Sequence, residues 1–242
     1  MRITALVSCF VFNLALCSIG FSQDSPVLLF EDDFERSESQ EESEELGNGW
    51  GTNSQKRAAG NKQADLVDGV LHVVRHPKAD HAVSLVQDAT YTDCRVELRF
   101  RLDDKRDDFG IDFADMDYPQ VHAGHICKAI FRPTGIELLD FKNGRMKKEY
   151  RDASQAGTLS KKEKEAVKRW QKKFMQPIDL GKWHKLVVTI KGDTMRVELN
   201  GALAGEFSSP GMAHPEKDRI RFSARREVRL DDLKLFALPS SS

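Results

Sequence analysis

Residues Cys94-Arg95-Val96-Glu97-Leu98-Arg99-Phe100-Arg101-Leu102 alternate without a break: every even position is apolar, cysteine included, and every odd one is charged. Successive side chains of an extended chain point to opposite faces. The stretch therefore reads as a half-buried strand with one face in a core.

The rest of the chain repeats that rhythm. Upstream, Val27-Leu28-Leu29-Phe30 reads as a first strand running into Glu31-Asp32-Asp33-Phe34, followed by an acidic, Ser-rich loop at 35–49. Asp65-Leu66-Val67, an Asp68-Gly69 turn and Val70 to Val74 form a strand, turn and strand, and His81 to Gln87 is another strand. Downstream, Phe109 to Phe113, Ile126 to Phe131 and Gly135 to Phe141 follow, with turns at Pro133-Thr134-Gly135 and Asn143-Gly144. Trp183 to Lys191, Met195 to Leu199 and Leu203 to Phe207 make a meander through Gly192-Asp193 and Asn200-Gly201, before Arg219 to Ser223 and Val228 to Phe236. Roughly a dozen short strands joined by hairpin turns predict an all-β chain folded as an antiparallel sandwich or jelly roll.

One segment breaks the pattern. Ser160 and Glu163 have capping-box spacing, and Val167, Trp170 and Phe174 recur at three- and four-residue intervals. This predicts one amphipathic helix within 158–175, ended by Pro177 and carried in an insertion at about 150–178. Between Lys161 and Lys173 it has seven basic residues against two acidic ones. Such a run is a wet face, a surface for an anionic polymer, or a face folded against the acidic loop at 38–45.

Met1-Arg2 followed by the apolar run Ile3 to Leu16 reads as a signal peptide, too short to span a bilayer and cleaved after Ser22. The expectation is therefore an exported protein, periplasmic or extracellular, with one sandwich domain over 23–239. Membrane attachment would require lipidation at Cys17, against which the bulky Leu16 counts. The formal charge of −1 becomes −2 once Arg2 is lost, a balance that argues against nucleic acid as partner. Cys94 and Cys127 remain after cleavage, compatible with one disulfide or two buried thiols. No G-x-S-x-G elbow, P-loop, H-E-x-x-H or paired C-x-x-C is present.

Gly181-Lys182-Trp183-His184, leading through Gly192-Asp193 to Val197-Glu198-Leu199-Asn200-Gly201, resembles the penultimate hairpins of concanavalin-A-like sandwiches. Within that group the chain most resembles exported 3-keto-disaccharide hydrolase domains, also described as 3-keto-glucoside lyase/hydratase domains. Leu29 to Phe34, Leu66 to Leu71, Cys94 to Leu102 and Leu230-Asp231-Asp232-Leu233-Lys234-Leu235 carry the likeness. The resemblance implies a concanavalin-A-like jelly roll acting on carbohydrate. Two departures stand out. Where those domains carry an N-S-G-I-type turn, this chain has Asp108-Phe109-Gly110-Ile111-Asp112-Phe113. Gly110 to Asp115 also mimics the E-[IL]-D-[FIV]-x-E strand of family 16 glycoside hydrolases, but with glycine at the nucleophile position. A retaining glycosidase needs two carboxylates about 5–5.5 Å apart, so that mechanism is disfavoured.

The densest set of reactive side chains is Asp112, Asp115, Asp117, His122, His125 and Lys128. Asp115 and Asp117 would share a strand face, and Ala123-Gly124 would let the two imidazoles converge. His122, His125, Asp115 and Asp117 are thus the candidate proton-transfer groups, with mixed N/O metal binding or a plain polar loop as the other readings. Trp50, Arg99, Asp112 and Lys128 are candidates for positioning a sugar. Asp32, Asp33, Asp231 and Asp232 lie on terminal strands expected to pair, and could hold a structural Ca²⁺ or simply cap turns and meet nearby cations. Two functions follow as expectations: a carbohydrate-active lyase or hydrolase, and a non-catalytic carbohydrate-binding or cell-surface module of the same fold.

Overall fold

The computed structural model describes residues 25–239; the signal peptide expected at 1–22, with Cys17, lies outside the described residues. In chain order the strands are β1 (Val27–Asp32), β2 (Gly51–Thr52), β3 (Ala64–Val67), β4 (Val70–Val74), β5 (Val83–Tyr91), β6 (Asp93–Arg101), β7 (Phe109–Ala114) and β8 (His125–Arg132). After these come β9 (Gly135–Asp140), β10 (Gln171–Phe174), β11 (His184–Lys191), β12 (Thr194–Leu199), β13 (Ala202–Ser208), β14 (Lys217–Ala224) and β15 (Glu227–Leu238). Three short α-helices, α1 (Ser54–Arg57), α2 (Lys148–Gln155) and α3 (Lys161–Lys168), complete the elements with a 3₁₀ turn at His122–Gly124. No helix among the described residues is long and apolar enough to cross a membrane.

Two antiparallel sheets make a sandwich. The first runs β13-β12-β11-β6-β15-β4-β3, with β1 also on β15; the second runs β10-β9-β8-β7-β14-β5-β2. The alternating strand β6 lies inside the first sheet, between β11 and β15. Cys94, Val96, Leu98 and Phe100 point into the core, and Leu98, Val96 and Cys94 stand opposite Leu186, Val188 and Ile190 of β11. A one-residue slip of β6 would turn Arg95, Glu97, Arg99 and Arg101 into that core, so the pattern fixes the register. The hairpins β3–β4 and β12–β13 turn at Asp68-Gly69 and Asn200-Gly201, where all four residues have positive φ. That is the geometry matching strand twist in two-residue turns, and Asp-Gly and Asn-Gly adopt it at least cost.

Phe100 of the first sheet meets Phe109 and Phe131 of the second, with ring centroids 5.7, 5.7 and 5.8 Å apart around the triangle. All three are fully buried, each stabilising by about 1.5–3 kcal/mol relative to exposure. Cys94 and Cys127 are separate buried thiols. Burial pushes Cys94 up to about 12, so it packs as a small apolar group.

The insertion differs from the single long helix expected. The capping box at Ser160 and Glu163 is present, but α3 stops at Lys168, and a separate helix, α2, precedes it. Neither buries a residue. The chain then extends into β10 because β9 offers a free edge, Phe174 pairing with Ile136 and laying its ring against Gly205 of β13. Edge pairing and ring packing outweigh a helical spacing that local propensity favours only weakly.

Candidate functional site

The second sheet carries the site on its outer face. In β7 the odd residues Phe109, Ile111 and Phe113 enter the core, so Gly110 and Asp112 face outward. All six residues of β7 are nonetheless buried. Residues 146–148 pair with 120–122 at one end, where Met146 packs on Ile130, Leu139 and Phe141. The same parity brings Lys128 and Arg132 out of β8, and Arg221 and Ser223 out of β14. The result is a cavity of about 220 Å³ lined by Asp112, His125, Lys128, Arg145, Arg221 and Ser223, among others.

Its floor is a dyad. Asp112, only 1% exposed, receives the His125 Nδ1 proton at 2.7 Å on Oδ2 and 2.8 Å on Oδ1, and Arg221 Nη1 donates to it at 3.1 Å. Burial raises the Asp112 pKa, but the neighbouring His125, Lys128 and Arg221 more than offset this and hold it below 3.8. An ionised carboxylate at Nδ1 fixes the imidazole tautomer, leaving Nε2 as a proton acceptor. Arg221 is locked by donating to the Ala123 carbonyl at 2.8 Å.

Lys128 lies across Gly110, and a β-carbon there would come within 2.5 Å of its Cε. Its Nζ donates to Ser223 Oγ at 2.8 Å. Burial lowers the Lys128 pKa against the pull of Asp112. The position corresponding to the family 16 nucleophile is therefore a glycine with an ammonium over it, and it offers no carboxylate to attack.

The remaining expectations divide. Asp112, His125 and Lys128 come together. His122 stands exposed at the rim, its ring stacked on His125 at 6.4 Å, with its pKa lowered by burial and by Arg151. Asp115 and Asp117 do not share the cavity, which corrects the strand reading. β7 ends at Ala114 after a register shift, and Asp115 N donates to Gly124 O. Gly124 has φ +71 and its β-carbon would sit 2.5 Å from Asp115 O, so glycine is required at this close approach. Asp115 instead takes His214 Nε2 at 2.7 Å, and Asp117 is exposed in the turn.

Trp50 and Arg99 also belong elsewhere. Trp50 packs on Phe30, Phe34 and Phe222 and donates through Nε1 to Asp32 at 2.7 Å, so it is a core wedge and not a sugar platform. Arg99 lies on the outer face of the first sheet, over Trp183 and paired with Asp231 and Asp232. The terminal strands do pair, β1 on β15, yet their carboxylates do not form a calcium site. Asp32 is taken by Arg36, Asn48, Trp50 and the Phe34 amide, Asp33 caps Glu35 N, and Arg99 occupies the other two. Among the described residues no group of three His, Cys, Asp or Glu side chains is arranged to hold a metal ion.

Arg221, Ser223 and Arg145 were not singled out from sequence. The alternation Arg219-Ile220-Arg221-Phe222-Ser223 carried the signal for the first two; Arg145, in a turn, had none.

Two stacked antiparallel sheets with these strand orders make a jelly-roll sandwich of the concanavalin-A-like kind. The family model described as a 3-keto-alpha-glucoside-1,2-lyase-like domain matches residues 40–235, and the chain belongs to that family. Solved structures share the fold at low identity. The GH16 non-specific endo-beta-1,3(4)-glucanase SCLam aligns with TM-score 0.58 and 12% identity over 88% of this chain and 91% of its own. The Rhodothermus marinus laminarinase gives 0.56 and 12% over 89% and 98%. The Bacillus subtilis carbohydrate-binding module CBM66 gives 0.50 and 14% over 76% and 93%. No curated relative matches the chain in sequence.

Proposed function

We propose that this protein acts on glycosides, and on 3-keto-glycosides in particular, with His125 taking a proton from the sugar carbon beside the carbonyl. The observation that carries this is the buried Asp112 on His125 Nδ1, which orients Nε2 as a base in a cavity large enough for a sugar ring. A ketone at C3 acidifies the C2 proton. Its removal by Nε2 and departure of the C1 oxygen break the C2–H and C1–O bonds and form a C1=C2 double bond. The proton gained by His125 balances the one that the leaving oxygen requires. Negative charge building on the C3 oxygen would be met by the Lys128 ammonium, poised in a site partly shielded from water. The family to which the chain belongs, with the sugar-acting proteins that share its fold, supports carbohydrate as the partner. Export to the periplasm or cell exterior is part of the same proposal, supported by the N-terminal apolar run.

The test is product analysis after incubating the purified mature protein with a panel of glucosides and their 3-keto derivatives. Cleavage of the keto-sugars alone, abolished in His125→Gln with folding retained, is the expected result. His122→Gln, at the rim, should cost much less. Binding without turnover across the panel would refute the catalytic role and leave a non-catalytic carbohydrate module.

A further inference from the structure

The cavity carries five lysine and arginine side chains against two carboxylates, in a chain whose overall charge is −1. Most of these charges are already matched. Asp112 neutralises Arg221, Asp108 takes Arg225, and Arg132 pairs with Glu137 at 3.0 Å. Lys128 and Arg145 are different. Among the described residues neither has a carboxylate within ion-pair distance: Lys128 reaches only the Ser223 hydroxyl, and Arg145 lies over the Phe141 ring at 4.7 Å. Burial lowers the pKa of both, so each charge is disfavoured by its surroundings as they stand. An unmatched ammonium in a desolvated cleft is costly, and an anion brought by a ligand relieves that cost.

We propose that the saccharide bound here is acidic, carrying a carboxylate or sulfate group that lodges between Lys128 and Arg145. The inference rests on the reading of the cavity as a sugar site and adds the class of sugar. A second groove supports it. Arg145 also walls a depression with Tyr150 and Arg151, bounded by α2 and by Val167 of α3. The exposed side of α3 adds Lys161, Lys162, Lys164 and Lys168. A longer acidic glycan leaving the cavity past Arg145 would meet positive charge along its path.

Calorimetric titration of the full mature chain with methyl glucuronide, glucose 6-sulfate and uncharged methyl glucoside tests the proposal. The expected result is about tenfold tighter binding of a charged sugar at low salt, weakening as salt is raised. Comparing the glucuronide with the sulfate tells which anion is taken. Arg145→Met should remove most of the preference, read as the ratio of charged-sugar to neutral-sugar affinity in the same variant. Equal affinity for charged and neutral sugars, or a preference untouched by Arg145→Met, overturns the acidic class and leaves the glycoside reading intact. Binding of none of the three overturns the acidic class, and it overturns the glycoside reading as well only where 3-keto-glucosides are not cleaved either.

Discussion

Replacing Asp112 by Asn keeps the shape of the side chain and removes its charge, which isolates what the carboxylate does. Asp112 is 1% exposed and touches both His125 and Arg221, so the variant leaves the Arg221 guanidinium buried without its counter-charge. Breaking one side of a buried pair costs about 3–5 kcal/mol, and the retained amide oxygen places this variant near 3. For a domain of this size that corresponds to a fall of about 6–12 °C in thermal midpoint. The pH dependence adds a second signature. A carboxyl held below its ordinary value of 3.8 binds its proton more weakly in the folded chain. Its contribution is therefore fully present above that value and is lost as pH falls through the folded value. Thermal unfolding followed by circular dichroism from pH 7 to pH 2 should show a steep acid loss in the parent chain and a shallower one in Asp112→Asn. The amide also no longer fixes Nε2 as acceptor, so turnover of keto-sugars should drop far more than stability does. A midpoint within about 2 °C of the parent, or an unchanged acid slope, would refute the buried dyad as drawn.

Lys128→Met removes a buried charge whose pKa burial already lowers, so the variant should melt no lower than the parent in a thermal scan while losing turnover. Gly211→Ala should destabilise by at least about 2 kcal/mol in urea unfolding, because its β-carbon would sit 2.0 Å from an Asp140 oxygen. Asp140 cannot yield easily, since it accepts from Asn143, Ser209 and Gly211 at once. Ser160→Ala removes the α3 cap at a local cost of about 1 kcal/mol. Because α3 buries nothing, amide exchange should rise within 161–168 with the global midpoint unmoved.

The strands and their inward faces were legible in the sequence because a period of two in burial writes a period of two in hydrophobicity. Cys94 to Leu102, Asp68-Gly69 and Asn200-Gly201 each state their local structure in a few adjacent residues, and so does the capping box at Ser160. The pairing of Asp112, His125 and Lys128 was within reach for the same reason, since these residues lie on neighbouring strands close in the chain. Which sheet bears the cavity was not, because outward-facing charges on β6 and on β14 follow the same alternation. Arg99 and Arg221 look alike in sequence. The first lies half-buried on the outer face of the first sheet beside Asp231 and Asp232, the second beneath loops that close over the second sheet. Nor could the sequence announce that Trp50 donates to Asp32, that Asp115 turns to His214 or that Arg145 reaches Lys128's cavity. Those contacts depend on how two whole sheets stack and which loops fold over them, which no local pattern records. Local patterning therefore determined the strands, the core and the grouping of Asp112, His125 and Lys128, and tertiary packing decided which sheet bears the cavity and which other side chains line it.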